Sequence, residues 1–385
     1  MSATALVVTH TLIQRDPRVR REVEWLSAEG WVVDTVGLGS ENLPEVRTHF
    51  PFAPQSQWTR PLPTKAALHL LLPPAARFRV LTASRLPREL SRALKADSYD
   101  LVLVNDIALL PVIQDLPETS QSVHIDLHEY HAPDMNLSLR GARLANPVHR
   151  WSRAFIGDPR VRSRSTVASG IAEMYRDEFE IEQPVLIRNA PPFEQLTPSA
   201  VDDERIELVY HGAAAWERGL RIVIEAMELL PERFRLNLIL VGSEQRLADV
   251  TKATAELGSR VRIFPPVTVP EIATRINEYD LEVMFYPPAT ANLRFALPNK
   301  LFEAVQARLG IVVGESPMMA QLAREHQNGL VIEGWSATDL ANGLSALEAA
   351  DVRRLKQGSD SAARTLNAAH EREVFLAVVA AFQHH

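Results

Sequence analysis

The sequence predicts an α/β protein made of two doubly wound domains that face an interdomain cleft. Three observations support this fold class. The chain has 385 residues, which suggests two domains. Short apolar strand candidates alternate with helical periodicity in residues 1–190 and again in residues 191–366. Between the two series, residues 189–199 carry consecutive prolines with polar neighbours, which favour an extended linker.

In the first predicted domain, residues 1–190, the strand and helix signals begin at once. Asp16 has the place of an N-cap, with Pro17 at the first helical position, and Gly30 ends the helix. The Pro-rich stretch 51–87 interrupts the alternation, so we expect an insertion there. The strand candidates are residues 4–9, 31–37, 99–104 and 122–127.

The second predicted domain, residues 191–366, shows the alternation more clearly. We expect strands at 206–211, 236–241, 260–264, 281–286, 310–313 and 329–332. The helices between them are expected at 219–229, 244–257, 270–278, 299–308, 317–325 and 337–348. Residues 351–384 are expected to be helical to the end, and we assign residues 367–385 to a C-terminal helix that packs back on the first domain.

Composition excludes several classes of protein. The chain is 46% hydrophobic and 23% charged, which is typical of a soluble globular protein. It has no Cys, so disulfides, thiolate nucleophiles and Cys-ligated metals are excluded. No apolar run is long enough to span a bilayer, and the N-terminus has no basic segment typical of a signal peptide. We therefore expect a cytoplasmic protein.

The charge is unevenly distributed along the chain. Residues 58–95 and 136–164 are basic, whereas the acidic excess lies in the second half. Basic stretches interleaved with apolar residues suit an anionic membrane surface, which makes a peripheral position on the inner face of the membrane a candidate. Arginines packed on the protein's own core are the alternative. Nucleic acid is not expected as a partner, because no nucleic-acid-binding motif is present.

Two groups of residues in the second domain are candidates for binding a phosphate. Gly212 and Arg218 lie between a strand and a helix, where free amides and a fixed cation favour an anion. Pro298 opens another helix, so the amides of Asn299 and Lys300 can hold a diphosphate. Glu303, one turn later, can accept hydrogen bonds from ribose hydroxyls. The alternatives are a plain turn and a capped helix with solvated cations.

The first domain carries two further candidates. His128 and Glu129 follow a buried strand, so their side chains are expected to project toward the cleft, where His128 can act as a donor or base. A hydrogen-bonded loop histidine is the alternative. Asp16 is best explained as a helix cap, while Arg18 and Arg20 remain candidates for binding an anionic group. No metal-ligand spacing, Walker A sequence or Gly-x-Gly-x-x-Gly after the first strand is present, so neither a metal nor a dinucleotide cofactor is expected.

Taken together, these segments resemble the GT-B fold glycosyltransferases, specifically the retaining family 4 enzymes with two Rossmann-like domains. The matching segments occur in the family's order along most of the chain. They are residues 16–22, Asp126–Tyr130, 169–173, 187–192, 210–220, 240–243, 261–267 and 297–303.

The resemblance implies transfer of a sugar from a nucleotide-diphosphate sugar, with retention of configuration and without a metal. A UDP-sugar is the first expectation and a GDP-sugar the second. The acceptor is expected to be a glycan, a lipid-linked sugar or a small molecule. In the donor site the resemblance places the base against Pro266 and Val267, and the sugar near the backbone of Leu297. It places Arg218 and Lys300 at the diphosphate, Glu303 at the ribose and His128 at the transferred sugar.

The sequence departs from the family pattern at two positions. Phe295 stands where family 4 enzymes usually carry an acidic residue, and Ala213 stands where they usually carry a basic one. A non-catalytic protein that binds sugar nucleotides or acts as a scaffold is therefore an alternative. Sugar-nucleotide 2-epimerases share the architecture, but the segment after the first strand, Val8–Ile13, lacks the sequence expected of them.

Overall fold

The computed structural model describes residues 2–52, 88–116, 122–130 and 153–383. The chain divides into two compact units, one made of Met1–Ile187 and Arg372–His385 and the other of Arg188–Glu371. Each unit is built on a parallel β-sheet with helices along its faces. Most of the basic stretches noted in the sequence lie outside the described residues.

The sheet of the first unit has seven parallel strands in the order β3-β2-β1-β4-β5-β6-β7. The strands are β1 Thr4–Val8, β2 Val32–Leu38, β3 Val46–Phe52, β4 Leu101–Asn105, β5 Val123–Leu127, β6 Val161–Thr166 and β7 Val185–Leu186. The helices are α1 Pro17–Ala28, α2 Arg88–Ala96 and α3 Ser169–Phe179, and Ile107–Asp115 is a 3-10 helix.

The sheet of the second unit has six parallel strands in the order β10-β9-β8-β11-β12-β13. The strands are β8 Ile206–Ala213, β9 Phe234–Val241, β10 Val261–Phe264, β11 Leu281–Met284, β12 Gly310–Gly314 and β13 Gly329–Ile332. The helices are α4 Leu220–Leu229, α5 Glu244–Thr254, α6 Ile272–Ile276, α7 Ala291–Arg294, α8 Asn299–Gln306, α9 Pro317–Glu325, α10 Ala337–Ser345 and α11 Ala349–Ala362. The last helix, α12 Ala368–Ala380, belongs to the first unit from Arg372 onward.

Residues 351–384, expected to be helical, form two helices in the structure. These are α11 and α12, separated by residues 363–367, and α12 lies within the expected C-terminal helix 367–385. The side chain of Asn367 accepts hydrogen bonds from the amides of Ala369 and His370, at 3.0 and 3.3 Å, and so starts a new helix. Phe375 of α12 then packs into the core of the first unit, with its ring 5.5 Å from that of Trp25.

Strand β6 overlaps the basic stretch 136–164, for which arginines packed on the protein's own core were the alternative to a membrane surface. Its middle residues Arg162, Ser163 and Arg164 are half-buried. The Arg164 guanidinium donates to the carbonyl of Ile156 at 2.8 Å, and the Arg162 guanidinium lies over the Phe382 ring. Arg153 is 4% exposed and pairs with Glu178. These three arginines therefore serve packing.

Candidate functional site

The carboxyl ends of the parallel strands in the second unit carry the main candidate site. The chain reverses its direction of winding between β8 and β11, the neighbouring strands at the centre of the sheet. Ligands of doubly wound sheets bind outside the strand ends at such a point. Gly212 is the second-last residue of β8 there, and α8 starts nearby with Asn299 and Lys300.

Two glycines shape the loop after β8. Gly212 has a φ of +111° and Gly219 a φ of +75°, a region that favours glycine. A Cβ on Gly219 would lie 1.7 Å from the carbonyl oxygen of Phe285, so only glycine lets this loop contact the end of β11. Arg218 directly precedes Gly219, and its side chain is exposed. The close approach of this loop to the end of β11 thus places Arg218 beside the strand ends.

Lys300 is the most unusual cation of this site. Its side chain is buried, yet among the described residues its Nζ has no hydrogen-bond acceptor. The ammonium lies 3.7 Å from the centre of the Tyr210 ring and would be 3.7 Å from a Cβ on Gly212. Burial lowers the pKa of Lys300 to about 8, against the attraction of Glu282 and Glu303. A buried ammonium without a hydrogen-bond acceptor favours the binding of an anion.

The N-terminus of α8 contributes backbone donors beside Lys300. Pro298 is the N-cap and supplies no side-chain hydrogen bond to the first amides of the helix. Asn299 is exposed at the first helical position, whereas Leu297 and Pro298 are half-buried. The positive end of the helix therefore adds to the charge of Lys300.

Pro266 and Val267 lie in the segment that follows β10, at the edge of the same sheet. Pro266 is exposed and Val267 is half-buried. Strand β9 separates β10 from β8, so this segment lies at the same carboxyl edge as Gly212. The described contacts do not join Pro266 or Val267 to Lys300 or Glu303.

Glu303 is held by a residue that the sequence analysis did not consider as functional. Its Oε2 lies 2.9 Å from Nε2 of His211, whose Nδ1 lies 2.9 Å from Oε2 of Glu282. Burial on its own would lower the pKa of His211, but Glu282 and Glu303 outweigh it and raise that pKa to about 9. Glu282 is fully buried on β11. The sequence signal that could have pointed to these contacts is Glu282 itself, a carboxylate within an otherwise apolar strand.

The first unit carries a separate buried polar cluster at the ends of β4 and β5. Asp126 is fully buried and accepts two hydrogen bonds from the Arg18 guanidinium and one from Ser165 Oγ. His128 Nε2 lies 2.6 Å from Asp126 Oδ2 and 3.1 Å from Asn105 Oδ1. Burial opposes ionisation of Asp126, but Arg18 and His128 hold its pKa well below the usual value.

These contacts fix the orientation of His128. Because Nε2 faces two acceptor oxygens, the proton of a neutral ring lies on Nε2. Among the described residues, Nδ1 has no hydrogen-bond partner, and the side chain is 27% exposed. Burial lowers the pKa of His128, but Asp126 outweighs burial and raises it. The neighbouring Glu129 is exposed, and its backbone carbonyl accepts a hydrogen bond from Tyr175.

The interpretation of Arg18 and Arg20 as anion-binding residues is not supported by their contacts. Arg18 is buried and already neutralised by Asp126, 108 residues further along the chain. Arg20 lies on the exposed face of α1 and pairs with Glu24 at 3.2 Å. Asp16 caps α1, accepting hydrogen bonds from the amides of Arg18 and Val19. The three residues therefore do not converge on one ligand.

The helices of the described residues include none that is both long and apolar enough to cross a bilayer. The same residues contain no group of three or more His, Asp or Glu side chains arranged to hold a metal ion.

Comparison with known proteins gives a family match for part of the chain. Residues 205–349 match the family described as "Glycosyl transferases group 1". The matched segment lies within the second unit. A curated relative, the D-inositol 3-phosphate glycosyltransferase of Pseudarthrobacter chlorophenolicus, is 26% identical over 179 residues, which is 45% of this chain and 41% of the relative. The match thus spans less than half of that relative's length.

Solved structures show the same fold for the whole chain. Sucrose-phosphate synthase from Thermosynechococcus elongatus is 16% identical with a TM-score of 0.68, covering 98% of this chain and 100% of that one. The structure described as trehalose-6-phosphate from E. coli bound with UDP-2-fluoro glucose is 10% identical with a TM-score of 0.69, covering 100% of this chain and 99% of that one. The chain therefore has the GT-B fold, as its sequence motifs predicted.

Two positions of the second unit depart from the family 4 pattern. Phe295, in place of an acidic residue, is half-buried at the end of α7, with the Arg294 guanidinium 5.4 Å from its ring. Ala213, in place of a basic residue, is exposed at the end of β8. Lys300 lies beside Gly212 and so brings a cation to the position next to Ala213.

Proposed function

We propose that the protein is a retaining glycosyltransferase that binds the diphosphate of a nucleotide sugar with Lys300, Arg218 and the N-terminus of α8. The observation that supports this most directly is the buried ammonium of Lys300, which has no acceptor among the described residues. It lies within the segment that matches the group 1 glycosyl transferases, at the strand ends where such sheets bind ligands. Two cations and a helix N-terminus can stabilise a leaving diphosphate.

The rest of the site is assigned by the resemblance to family 4. Pro266 and Val267 would contact the base, Glu303 the ribose, and the backbone near Leu297 the sugar. In the first unit, His128 is the candidate for contact with the transferred sugar, since its ring is held by Asp126 and is partly exposed. A UDP-sugar is the proposed donor, with a GDP-sugar second, and a glycan or lipid-linked sugar is the proposed acceptor.

A thermal-shift screen against UDP, GDP, ADP and their sugars tests the proposed function. A nucleotide that binds only the folded protein raises its apparent stability. Slow hydrolysis of the stabilising sugar nucleotide, followed by mass spectrometry, would support a transferase over a protein that only binds. A stabilising ligand without hydrolysis or transfer would favour the non-catalytic alternative, and isomerised sugar would favour an epimerase.

Arg218→Ala is expected to weaken the binding of UDP much more than that of uridine. Arg218 is exposed at the strand ends and would meet the diphosphate, which uridine lacks. Loss of a charge-assisted hydrogen bond corresponds to about 1.5–3 kcal/mol. Titration calorimetry with both ligands measures the difference. Arg221→Ala is the control, since that exposed guanidinium lies over the Trp216 ring; equal losses for UDP and uridine in Arg218→Ala would assign Arg218 a structural role.

Activity is expected to survive EDTA. The two cations and the helix N-terminus supply the charge that a metal would otherwise bring to the diphosphate. Transfer or donor hydrolysis is compared before and after EDTA treatment. Complete loss of activity that Mg²⁺ or Mn²⁺ restores would overturn the proposed chemistry.

Binding to anionic lipid remains a prediction from the basic stretches of the sequence. If a lipid-linked acceptor is used, co-sedimentation with phosphatidylserine vesicles should occur at low salt and decline as salt screens the charges. Neutral vesicles are the control. Absence of binding at low salt would point to an acceptor in solution.

A further inference from the structure

Three side chains from three elements form a line at the switch point of the second unit. Glu282 of β11, His211 of β8 and Glu303 of α8 are joined by two contacts of 2.9 Å through the imidazole ring. Glu282 Oε1 also accepts from the backbone amide of His211 at 3.3 Å. Glu282 is fully buried and His211 is 4% exposed, so little water competes for these contacts.

With both carboxylates ionised, the geometry requires a charged imidazole. Each ring nitrogen of His211 faces a carboxylate oxygen, and an ionised carboxylate can only accept hydrogen bonds. Both contacts are satisfied together only when both nitrogens carry a proton. In a neutral ring one nitrogen would turn its lone pair toward a carboxylate, and the hydrogen bond to that carboxylate would be lost. The orientation of Glu303 therefore depends on the charge of His211, which in turn depends on Glu282.

The Glu303 end of this line of contacts has an oxygen left for a ligand. Oε2 of Glu303 contacts His211, whereas its Oε1 has no hydrogen-bond partner among the described residues. Its side chain is 14% exposed, unlike that of Glu282. A carboxylate oxygen fixed in this way can accept hydrogen bonds from two neighbouring hydroxyls, as acidic residues do for ribose in other doubly wound sheets.

Stability alone does not account for the arrangement. Two apolar side chains on β8 and β11 would fill the same space without the cost of taking three charges out of water. Replacing buried ion pairs by apolar residues is often neutral or stabilising. The charges are instead arranged so that they restrain one partly exposed carboxylate.

We propose that His211 and Glu282 are positioning residues that hold the Glu303 carboxylate for the ribose diol, and so make the site select ribonucleotides over 2′-deoxyribonucleotides. This inference rests on the proposed function, because it assumes that a nucleoside diphosphate occupies the second unit. His211 and Glu282 act through Glu303, while Lys300 and Arg218 act on the diphosphate.

The test compares the dissociation constants of UDP, GDP and ADP with those of their 2′-deoxy counterparts. In the wild-type protein the nucleotide that binds should be favoured over its 2′-deoxy form on the order of tenfold, as expected for one hydrogen bond to a charged group. Glu303→Gln, His211→Gln and Glu282→Leu should each reduce this ratio toward one. Glu282→Gln keeps an acceptor for Nδ1 and should retain part of the preference. Glu225→Gln, an exposed site on α4, should leave the ratio unchanged.

The pH dependence of the same ratio tests the proposal in the unmodified protein. The groups facing His211 are Glu282 from β11, and Glu303 and Lys300 from α8, and the pKa of His211 is raised to about 9. The preference for the ribonucleotide should therefore decline as pH rises through about 9. Lys300, with a pKa of about 8, also loses its proton in this range. This weakens the binding of the ribonucleotide and of its 2′-deoxy form equally, so it does not change their ratio.

The outcomes separate the two proposals. If no nucleoside diphosphate binds the wild type, the proposed function and the positioning role both fail. If one binds but the ratio is the same in His211→Gln, Glu282→Leu and the wild type, the positioning role alone fails. Should Glu282→Leu not fold, Glu282→Gln and the pH series of the wild type still decide, because a ratio that stays constant between pH 7 and 10 contradicts the role of His211.

Discussion

Replacing Lys300 with Met is expected to stabilise the ligand-free protein while weakening its affinity for a nucleoside diphosphate by about 10- to 100-fold. Methionine fills a similar volume without a charge. The Lys300 ammonium is buried with no acceptor among the described residues, and an unsatisfied buried polar group costs about 1–3 kcal/mol. Its contact with the Tyr210 ring offsets part of that cost, so we expect a gain of about 1–2 kcal/mol.

The loss of nucleotide affinity comes from the missing contact between the ammonium and the diphosphate. A diphosphate would give Lys300 the acceptor it lacks, and hydrogen bonds between charged groups contribute about 1.5–3 kcal/mol. Chemical denaturation measures the first effect and titration calorimetry with the best nucleotide from the screen measures the second. A Lys300→Met protein that is less stable than the wild type and binds the nucleotide equally well would assign Lys300 to the fold.

Lys356→Met is the matched control, because Lys356 is also buried in the second unit but is fully paired. Its Nζ contacts Ser199 Oγ, the Tyr279 carbonyl and Asp280 at 2.9, 2.6 and 3.5 Å. Removing it leaves the buried Asp280 without its cation, which costs about 3–5 kcal/mol. The two substitutions should therefore change stability in opposite directions, and only Lys300→Met should change nucleotide affinity in the folded protein.

The pH dependence follows from the lowered pKa of Lys300. Burial brings that pKa to about 8 in the folded protein, against an ordinary value of 10.5. Between these values the unfolded chain binds more protons, so the folded state gains stability as pH rises. The advantage of Lys300→Met should thus be complete below pH 8 and shrink toward pH 10.5. Nucleotide affinity of the wild type should fall above pH 8, because the diphosphate needs the protonated lysine.

The sequence predicted the second unit better than the first, for a physical reason. A strand that is buried on both faces, such as β12, is a continuous apolar run that stands out in the sequence. Strand β6 carries arginine and serine at half-buried positions, and β3 contains a proline, so neither has that signature. Their place in the sheet is decided by partners far away in the chain.

The candidate site shows the same division. Gly212, Lys300 and Glu303 could be placed together because parallel strands end at one edge of a sheet, which topology alone implies. That Arg18 pairs with Asp126 could not be anticipated, because the local sequence explained Asp16 as a helix cap and left Arg18 as a candidate for binding an anionic group. The contacts of Glu282 were missed because a single acidic residue in a strand does not reveal which cation it meets.

Asp126→Asn is expected to destabilise the first unit by about 3–5 kcal/mol. The substitution leaves the Arg18 guanidinium buried without its carboxylate, and breaking a buried ion pair by removing one partner has a cost of that size. It also exchanges an acceptor for an amide beside Ser165 and His128. Denaturant unfolding measures the loss, and Asp177→Asn, at an exposed position of α3, is the control.

Glu22 provides a way to confirm the cause of this loss. Burial, followed by repulsion from Asp126, raises the pKa of Glu22 to about 8, so it is protonated at pH 7. Its Oε1 lies 3.9 Å from Arg18 Nε. Without the Asp126 charge, Glu22 should ionise and partly neutralise Arg18. The double variant Asp126→Asn/Glu22→Gln should therefore lose more stability than the sum of the two single variants.

Glu22→Gln on its own should stabilise the protein above pH 4.5. The folded protein holds a proton on Glu22 between pH 4.5 and about 8 that the unfolded chain releases, so the wild type loses stability as pH rises through that range. Glutamine needs no such proton and still accepts from Asn105, which donates to Glu22 Oε2 at 2.9 Å. Glu22→Gln should thus equal the wild type near pH 4.5 and exceed its stability toward pH 8.

His128 reports whether the same cluster prepares a functional side chain. Asp126 is the main charge that raises the pKa of His128, and Glu22 adds to it. The double variant Asp126→Asn/Glu22→Gln, in which Glu22 cannot ionise in place of Asp126, should therefore lower that pKa, and NMR titration of the ring protons measures it. A fall in the His128 pKa together with reduced transfer would connect the buried pair to the reaction, since the ring would lose the carboxylate that raises its pKa and fixes its orientation. If the His128 pKa is unchanged although Arg18 is unpaired, Asp126 serves the fold alone, and the orientation of His128 is due to Asn105.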